Sequence, residues 1–279
     1  PLESGVTVGA SETNYSYEAG LKSDVLDGKA SASVDTASEL SSLADIVAAI
    51  ALTAAGGTPS PALTPADFAA LGLTGVTSAN LADILAAIAA TPDNGSGISS
   101  LASLQATVTS AAAASAAKDA ALATISAYAN GGSTAPSVSD FADAGVTGVD
   151  SSNLAAINAL IASLSGTDVD SPAELQAVID AYLAVLAAAD GTRNNNATLT
   201  SAQFSSLGMS QIDSAVELSL MNRVLDTATS SQVDTGTELQ ALGDTVSGIF
   251  VTAAGGTASP AVTAAGLAAI GLTGVTSSN

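Results

Sequence analysis

The loop Asp190-Gly191-Thr192-Arg193-Asn194-Asn195-Asn196 sets oxygen-bearing side chains at alternate positions. Calcium loops use such spacing to wrap a hard cation in carboxylate and amide oxygens. Asp190, Asn194 and Asn196 are the candidate ligands. The pattern is incomplete: it has a single carboxylate, places Arg193 among the ligands and has no closing Glu. Asp, Gly and Asn also build turns without any metal. A solvated turn is therefore the simpler expectation, calcium the alternative, and no other cofactor is expected. Asp93-Asn94-Gly95 and Asp168-Val169-Asp170 are weaker versions, best read as turns and helix caps.

Other chemistry is scarce. His and Cys are both absent, which removes the usual base near neutral pH, thiolate nucleophiles, disulfides and the commonest metal ligands. Ser is plentiful, but an activated nucleophile needs a base within reach. The acids read as caps or solvent-face residues rather than an acid–base pair. Gly56-Gly57 follows a helix and lacks the Lys of a phosphate loop. The expectation is a protein that is not an enzyme. Asn14-Tyr15-Ser16, Asn94-Gly95-Ser96 and Asn196-Ala197-Thr198 are formal glycosylation sequons, common by chance in a Ser/Thr-rich chain.

The elements that carry these residues come from an Ala-rich background. The chain has 279 residues, 26 acidic and 5 basic, for a formal charge of −21. Lys22, Lys29, Lys118, Arg193 and Arg223 are scattered singly, so no basic face for nucleic acid can be assembled. Anionic membrane surfaces are disfavoured for the same reason. The apolar helices carry Asp45, Asp83 and Asp180 and fall short of the ~20 apolar residues of a membrane span. Aromatics are 3%, so any core is thin and close-packed. Pro1-Leu2-Glu3-Ser4 does not read as a signal peptide. Lack of Cys is compatible with export.

One glycine sets a register: Gly9, Gly72, Gly145, Gly208 and Gly271, at spacings of 63, 73, 63 and 63. Four residues before the last four lie Phe68, Phe141, Phe204 and Leu267; five residues after all five lie Asn14, Thr77, Asp150, Asp213 and Thr276. Leu40, Leu104, Leu175 and Leu239 form a second anchor. Each unit reads as three helices. Helix one opens with Thr36, Ser171 or Thr235 three residues ahead of Glu39, Glu174 or Glu238, a capping-box pattern. It ends at Gly56-Gly57, Gly131-Gly132, Asp190-Gly191 or Gly255-Gly256. Helix two starts at Thr64, Ser137 or Thr200 and closes on the register glycine. Helix three starts at Thr77, Asp150 or Asp213, with Asp83 on its solvent side. The 73-residue spacing places about nine extra residues in the Ala-rich stretch 111–119, which predicts a longer helix one: a neutral insertion, or a spacer or contact arm.

The predicted fold is all-α, a tandem array of small three-helix bundles. Residues 1–34 form a partial unit with the third helix only, 35–98 a full unit, 99–169 a unit with an extended first helix, 170–233 a full unit, and 234–279 a partial unit with the first two helices. A longer period overlies the short one. Residues 53–80 and 252–279, offset by 199, agree at about three positions in four. The first unit thus holds the helix that the last one lacks. Two readings fit: a segment of a longer array, or helix 14–27 of one molecule completing the last unit of another, which gives an open filament.

Phrases such as Leu63-Thr64-Pro65-Ala66-Asp67-Phe68-Ala69-Ala70-Leu71-Gly72 and Ser171-Pro172-Ala173-Glu174-Leu175-Gln176 resemble the alanine-rich helical repeats of very large bacterial surface proteins, which are similar to the albumin-binding three-helix module. The resemblance covers nearly the whole chain and implies an extracellular, cell-surface protein that acts through repetition. No albumin-binding residues can be matched. The expected function is a structural repeat protein forming a filament, surface layer or adhesin stalk by self-association. The alternative is a module that recognises a host or neighbouring-cell protein through an exposed apolar patch repeated in each unit.

Overall fold

The structure is a computed structural model; it describes residues 14–91, 97–194 and 198–276. Gly9, the Asp93-Asn94-Gly95 turn with its sequon, Asn195 and Asn196 lie outside the described residues. The described residues are helical, with no strand and one isolated bridge, between Asp190 and Thr229.

Contacts divide the chain into two units, Pro1–Ala117 and Lys118–Asn279. The first contains α1 (Asn14–Asp27), α2 (Ala37–Ala54), α3 (Pro65–Leu71) and α4 (Leu81–Ala89). α1 and α4 both pack on α2, and α3 lies against it. Leu21, Val25, Leu43, Val47, Ile50, Phe68, Ile84 and Ile88 fill this core. α2 is long and apolar enough to cross a membrane by length and composition. Its Leu43, Val47 and Ile50 lie in this core.

α5 (Leu101–Ala129) is 29 residues long, against 18 for α2. The division between the units falls inside it. Leu104, Val108 and Ala111 belong to the first core, and Ala121, Ile125 and Ala129 to the second. Between them Ala113, Ala114, Ala116 and Ala117 are exposed. The extra turns carry no large apolar side chain; between Ala111 and Ala121 only Ser115 is buried, and high Ala propensity helps hold them helical.

The second unit continues with α6 (Val138–Asp143), α7 (Leu154–Ile161), α8 (Pro172–Ala188), α9 (Ser201–Ser206), α10 (Ala215–Leu225), α11 (Gly236–Ala253) and α12 (Ala264–Ala269). α9 packs on α8, while α7, α10 and α12 pack on α11. Tyr182 is the largest fully buried side chain of its core. Its Oη donates to Val233 O at 3.2 Å, and burial, then the charges of Asp234 and Glu238, push the phenol up to about 12.

The helix signals act as their chemistry dictates. Thr36 and Thr235 form full capping boxes with Glu39 and Glu238, and the Ser171 hydroxyl accepts from Glu174 N. Gly56, Gly131 and Gly255 take positive φ one residue after the C-cap, so the next glycine N–H reaches back to Leu52, Ala127 or Val251. Thr64, Ser137 and Thr200 cap the short helices, and Phe68, Phe141 and Phe204 are buried.

Two expectations need correction. Thr77 and Asp150 do not open helix three. They head a turn closed by Asn80 and Asn153, whose side chains accept from Thr77 N (2.8 Å) and Asp150 N (2.9 Å) and donate to Gly75 O and Gly148 O (2.8 Å each). The helices start at Leu81 and Leu154. Asp83 does not simply face solvent; the buried Ser115 hydroxyl donates to it at 2.6 Å.

The 199-residue offset reappears in the backbone. α2 and α11, Ala37–Ala54 and Gly236–Ala253, match end for end, as do the 3-10 turns Ser31–Ser33 and Ser230–Gln232. Residues 14–76 are called the head repeat below, and 213–275 the tail repeat.

Candidate functional site

The candidate calcium loop is organised by its own backbone. Asp190 Oδ1 accepts from Thr192 N at 2.6 Å, the turn chemistry expected of an Asx residue. Gly191 has φ +78 and donates to Ala228 O at 2.9 Å. Asn194, also at positive φ, gives its N–H to Asp226 Oδ1 (2.8 Å) and Oδ2 (2.7 Å). Asp190 and Asn194 thus anchor two ends of one turn, and the third candidate, Asn196, lies outside the described residues. Among the described residues no three Asp or Glu side chains gather closely enough to hold a metal ion. Asp226 was not legible as a partner: it is 32 residues away, and only the return of α10 brings it there.

A cavity of about 590 Å³ opens beside this loop, lined by Leu199, Leu218, Asn222, Arg223 and Asp226 among others. Two of its polar groups, Asp226 and Asn222, bond to the protein itself. Asn222 Oδ1 accepts from Leu199 N (2.7 Å), and its Nδ2 donates to Leu199 O and Leu218 O (2.9 Å each). Asn222 therefore pins the approach to α9 onto α10.

The surface offers a different kind of site. Matched positions of the head and tail repeats differ sharply in burial. On the head, Leu26 and Leu40 are each 41% exposed; their counterparts Leu225 and Leu239 are 0% and 1% exposed. Val34 is half-buried where Val233 is buried. On the tail the contrast reverses. Leu272 is 50% exposed where Leu73 is 4% exposed. Ile249, Leu267 and Ile270 are half-buried where Ile50, Phe68 and Leu71 are buried.

The cause is local packing. α7 covers the start of α11: a Cβ on Gly236 would stand 2.2 Å from Ser163 Oγ and 3.2 Å from Leu160 Cα. The head repeat carries an exposed Ala37 at that position. Conversely, α4 packs on α2, with Ile84 and Ile88 buried. Exposed or half-buried apolar side chains thus gather on α1–α2 of the head (Leu26, Leu40) and around α11–α12 of the tail (Ile249, Ile270, Leu272).

No protein family, curated protein or solved structure matches the chain.

Proposed function

We propose that this chain is a structural, non-catalytic repeat protein: a tandem array of three-helix units, with boundaries at 35–98, 99–169 and 170–233 flanked by partial units. It acts at a bacterial cell surface or in the extracellular matrix, as a filament, layer or stalk, by self-association. One observation carries this reading. The head and tail repeats, 199 residues apart, share one backbone: α2 and α11 match end for end and carry the same Thr–Glu capping box.

A recurring contact between helices supports the tandem arrangement. The third-helix element α1 meets the start of α5, where Asp24 Oδ2 accepts from Leu101 N at 3.1 Å. The third-helix element α7 meets the start of α11 in the same way, through Leu160 and Ser163 at Gly236. Asp24 and Leu160 hold the same place in the register. A contact reused along the chain is how solenoid arrays accumulate stability from neighbour to neighbour. The composition supports a structural role: without His or Cys, function rests on shape and surface rather than reactive groups.

Negative-stain electron microscopy of the purified chain tests the reading. Ordered filaments or sheets are the expected outcome. Dispersed particles that capture a surface protein of another cell would replace self-association with the binding-module reading. Antibody labelling of intact producing cells tests the location, and labelling only after lysis would exclude a surface role.

A further inference from the structure

We propose that a recurring carboxamide seam couples each three-helix unit to the next: the first helix of one unit grips the loop of the unit before it, so that the two open together. The proposal rests on the tandem-array reading and names the contact that joins its units.

The seam starts from what a helix end leaves over. At the register glycines the short helices close on themselves. Gly72 N and Leu73 N donate to Ala69 O and Phe68 O, and Gly145 N and Val146 N donate to Ala142 O and Phe141 O. These bonds use up the last carbonyls of the helix. The next residue, Thr74 or Thr147, lies beyond that motif and finds its partner 31 or 29 residues further along the chain. Gln105 Oε1 accepts from Thr74 N at 2.9 Å, and its Nε2 donates to Thr74 O at 3.1 Å. Gln176 does the same at Thr147, at 2.8 Å and 3.3 Å. One carboxamide thus satisfies both backbone groups of one residue.

The gripping position is the same each time. Gln105 and Gln176 follow the buried anchors Leu104 and Leu175, and both are half-buried. The side chain four residues on, one helical turn away, aims the amide. Gln105 Nε2 also donates to Thr109 Oγ1 at 3.0 Å, and Gln176 Nε2 to Asp180 Oδ1 at 2.7 Å. The third junction carries the argument furthest. There the loop after Gly208 reads Met209-Ser210-Gln211 in place of a Thr-Gly turn. The tie persists by other chemistry: Gln240, which follows Leu239, and Gln211 of the loop both donate to Asp244 Oδ1, at 2.8 Å and 2.9 Å. Met209 of that loop lies so near α11 that a Cβ on Gly243 would stand 3.0 Å from its sulfur. Three loops of differing sequence are therefore held from one position of the following helix. A grip on main chain tolerates drift in the loop, as an array of diverged units requires, and contacts between neighbours are what make such arrays cooperative.

Amide exchange on the full chain, read residue by residue, tests this. Gln176→Ala removes the tie and keeps a good helix former in α8. Thr147 N–H should then exchange about tenfold faster, the change expected when hydrogen bonds of this kind are lost. Coupling is read by adding Phe141→Leu, which trims a fully buried ring and loosens unit 99–169 from within. With the tie intact, Phe141→Leu should speed exchange in α6, α7 and α8. With Gln176→Ala added, the acceleration in α8 should shrink severalfold while that in α6 and α7 persists. Gln105→Ala should act in the same way at Thr74 and leave Thr147 unchanged. An α8 response that is the same with and without the tie, or a Thr147 N–H that keeps its wild-type rate in Gln176→Ala, overturns the seam. If that unchanged response also ran evenly through α9 to α12, the division into units would fall with it. Exchange is read within the single chain, so dispersed particles in microscopy would overturn self-association and leave this contact standing.

Discussion

In the head repeat the helix Ala37–Ala54 exposes its beginning and buries its end; in the tail repeat the helix Gly236–Ala253 does the opposite. Leu40 is open and Ile50 buried in the first, whereas Leu239 is buried and Ile249 half-open in the second. The two helices have the same length, cap type and register. Burial is therefore not a property of either helix. It is conferred by α4 on one and by α7 on the other. The apolar pattern states what a helix can bury, and its neighbours decide which part it does.

The largest expected effect comes from matched truncations under the register position. Phe68→Ala removes a fully buried ring and should cost about 3–5 kcal/mol in urea unfolding. Leu267→Ala at the matched place on the half-open tail should cost less than about 1.5 kcal/mol. Equal costs would mean that the tail face is already covered in solution. Next comes the close approach at Gly236. A methyl there meets Ser163 and Leu160, so Gly236→Ala should destabilise by about 1–3 kcal/mol despite its better helix propensity. Ala37→Gly, with no helix over it, should cost no more than about 1 kcal/mol. A neutral Gly236→Ala would show that α7 is not held against α11.

A third contrast concerns the short helices. The Asp67 carboxylate accepts from both Thr64 N and Thr64 Oγ1 at 2.7 Å. The tail has Gly266 at this place, where a Cβ would stand 2.5 Å from Thr245 Oγ1. Asp67→Ala should cost about 1 kcal/mol, measured by thermal melts, and should loosen α3 selectively. The tail keeps only the Thr263 half of this cap, which accepts from Gly266 N at 3.0 Å, and Thr245 occupies the space of the missing side chain. A cost near zero for Asp67→Ala would remove that distinction between the two short helices.

These contrasts show which features the sequence made legible. The all-helical class follows from Ala content, the capping residues and the register glycines, each of which acts within four or five residues of itself. Helix-three starts were misread because Thr77 and Asp150 are good cap types, yet Asn80 and Asn153 use both ends of their side chains to fold a turn first. The Ala-rich insertion was legible as extra helix, but not as a helix shared by two cores, since Ala shows no facing preference. Asp190 was legible as a turn former; its neighbour Asp226 was not, because their proximity is tertiary. The open faces were invisible for a sharper reason: Leu26 and Leu225 are the same residue in the same register, and only neighbouring helices make them different.

The smallest effect should come from the caps on titration. Glu39 in the head cap is held below the ordinary glutamate range by the Thr36 hydroxyl and then the Thr36 N–H. Its contribution is present above the unfolded value and is lost as pH falls through the lower folded value. Asp234, beside the tail cap, is raised by its hydrogen bond to Glu238, then by desolvation and the Glu238 charge. Its sign is opposite: it favours the fold below the unfolded value and ceases to do so as pH rises through the higher folded value. On acidification Asp234 should therefore take up its proton first, relieving its repulsion with Glu238, while Glu39 loses its cap only at lower pH. Amide exchange at the two helix starts between about pH 3 and pH 7 reads this directly. Glu39→Gln should flatten the profile at α2 by removing protection at neutral pH. Asp234→Asn should flatten that at α11 by adding it, and parallel profiles at the two caps would mean that Asp234 and Glu238 do not share a proton.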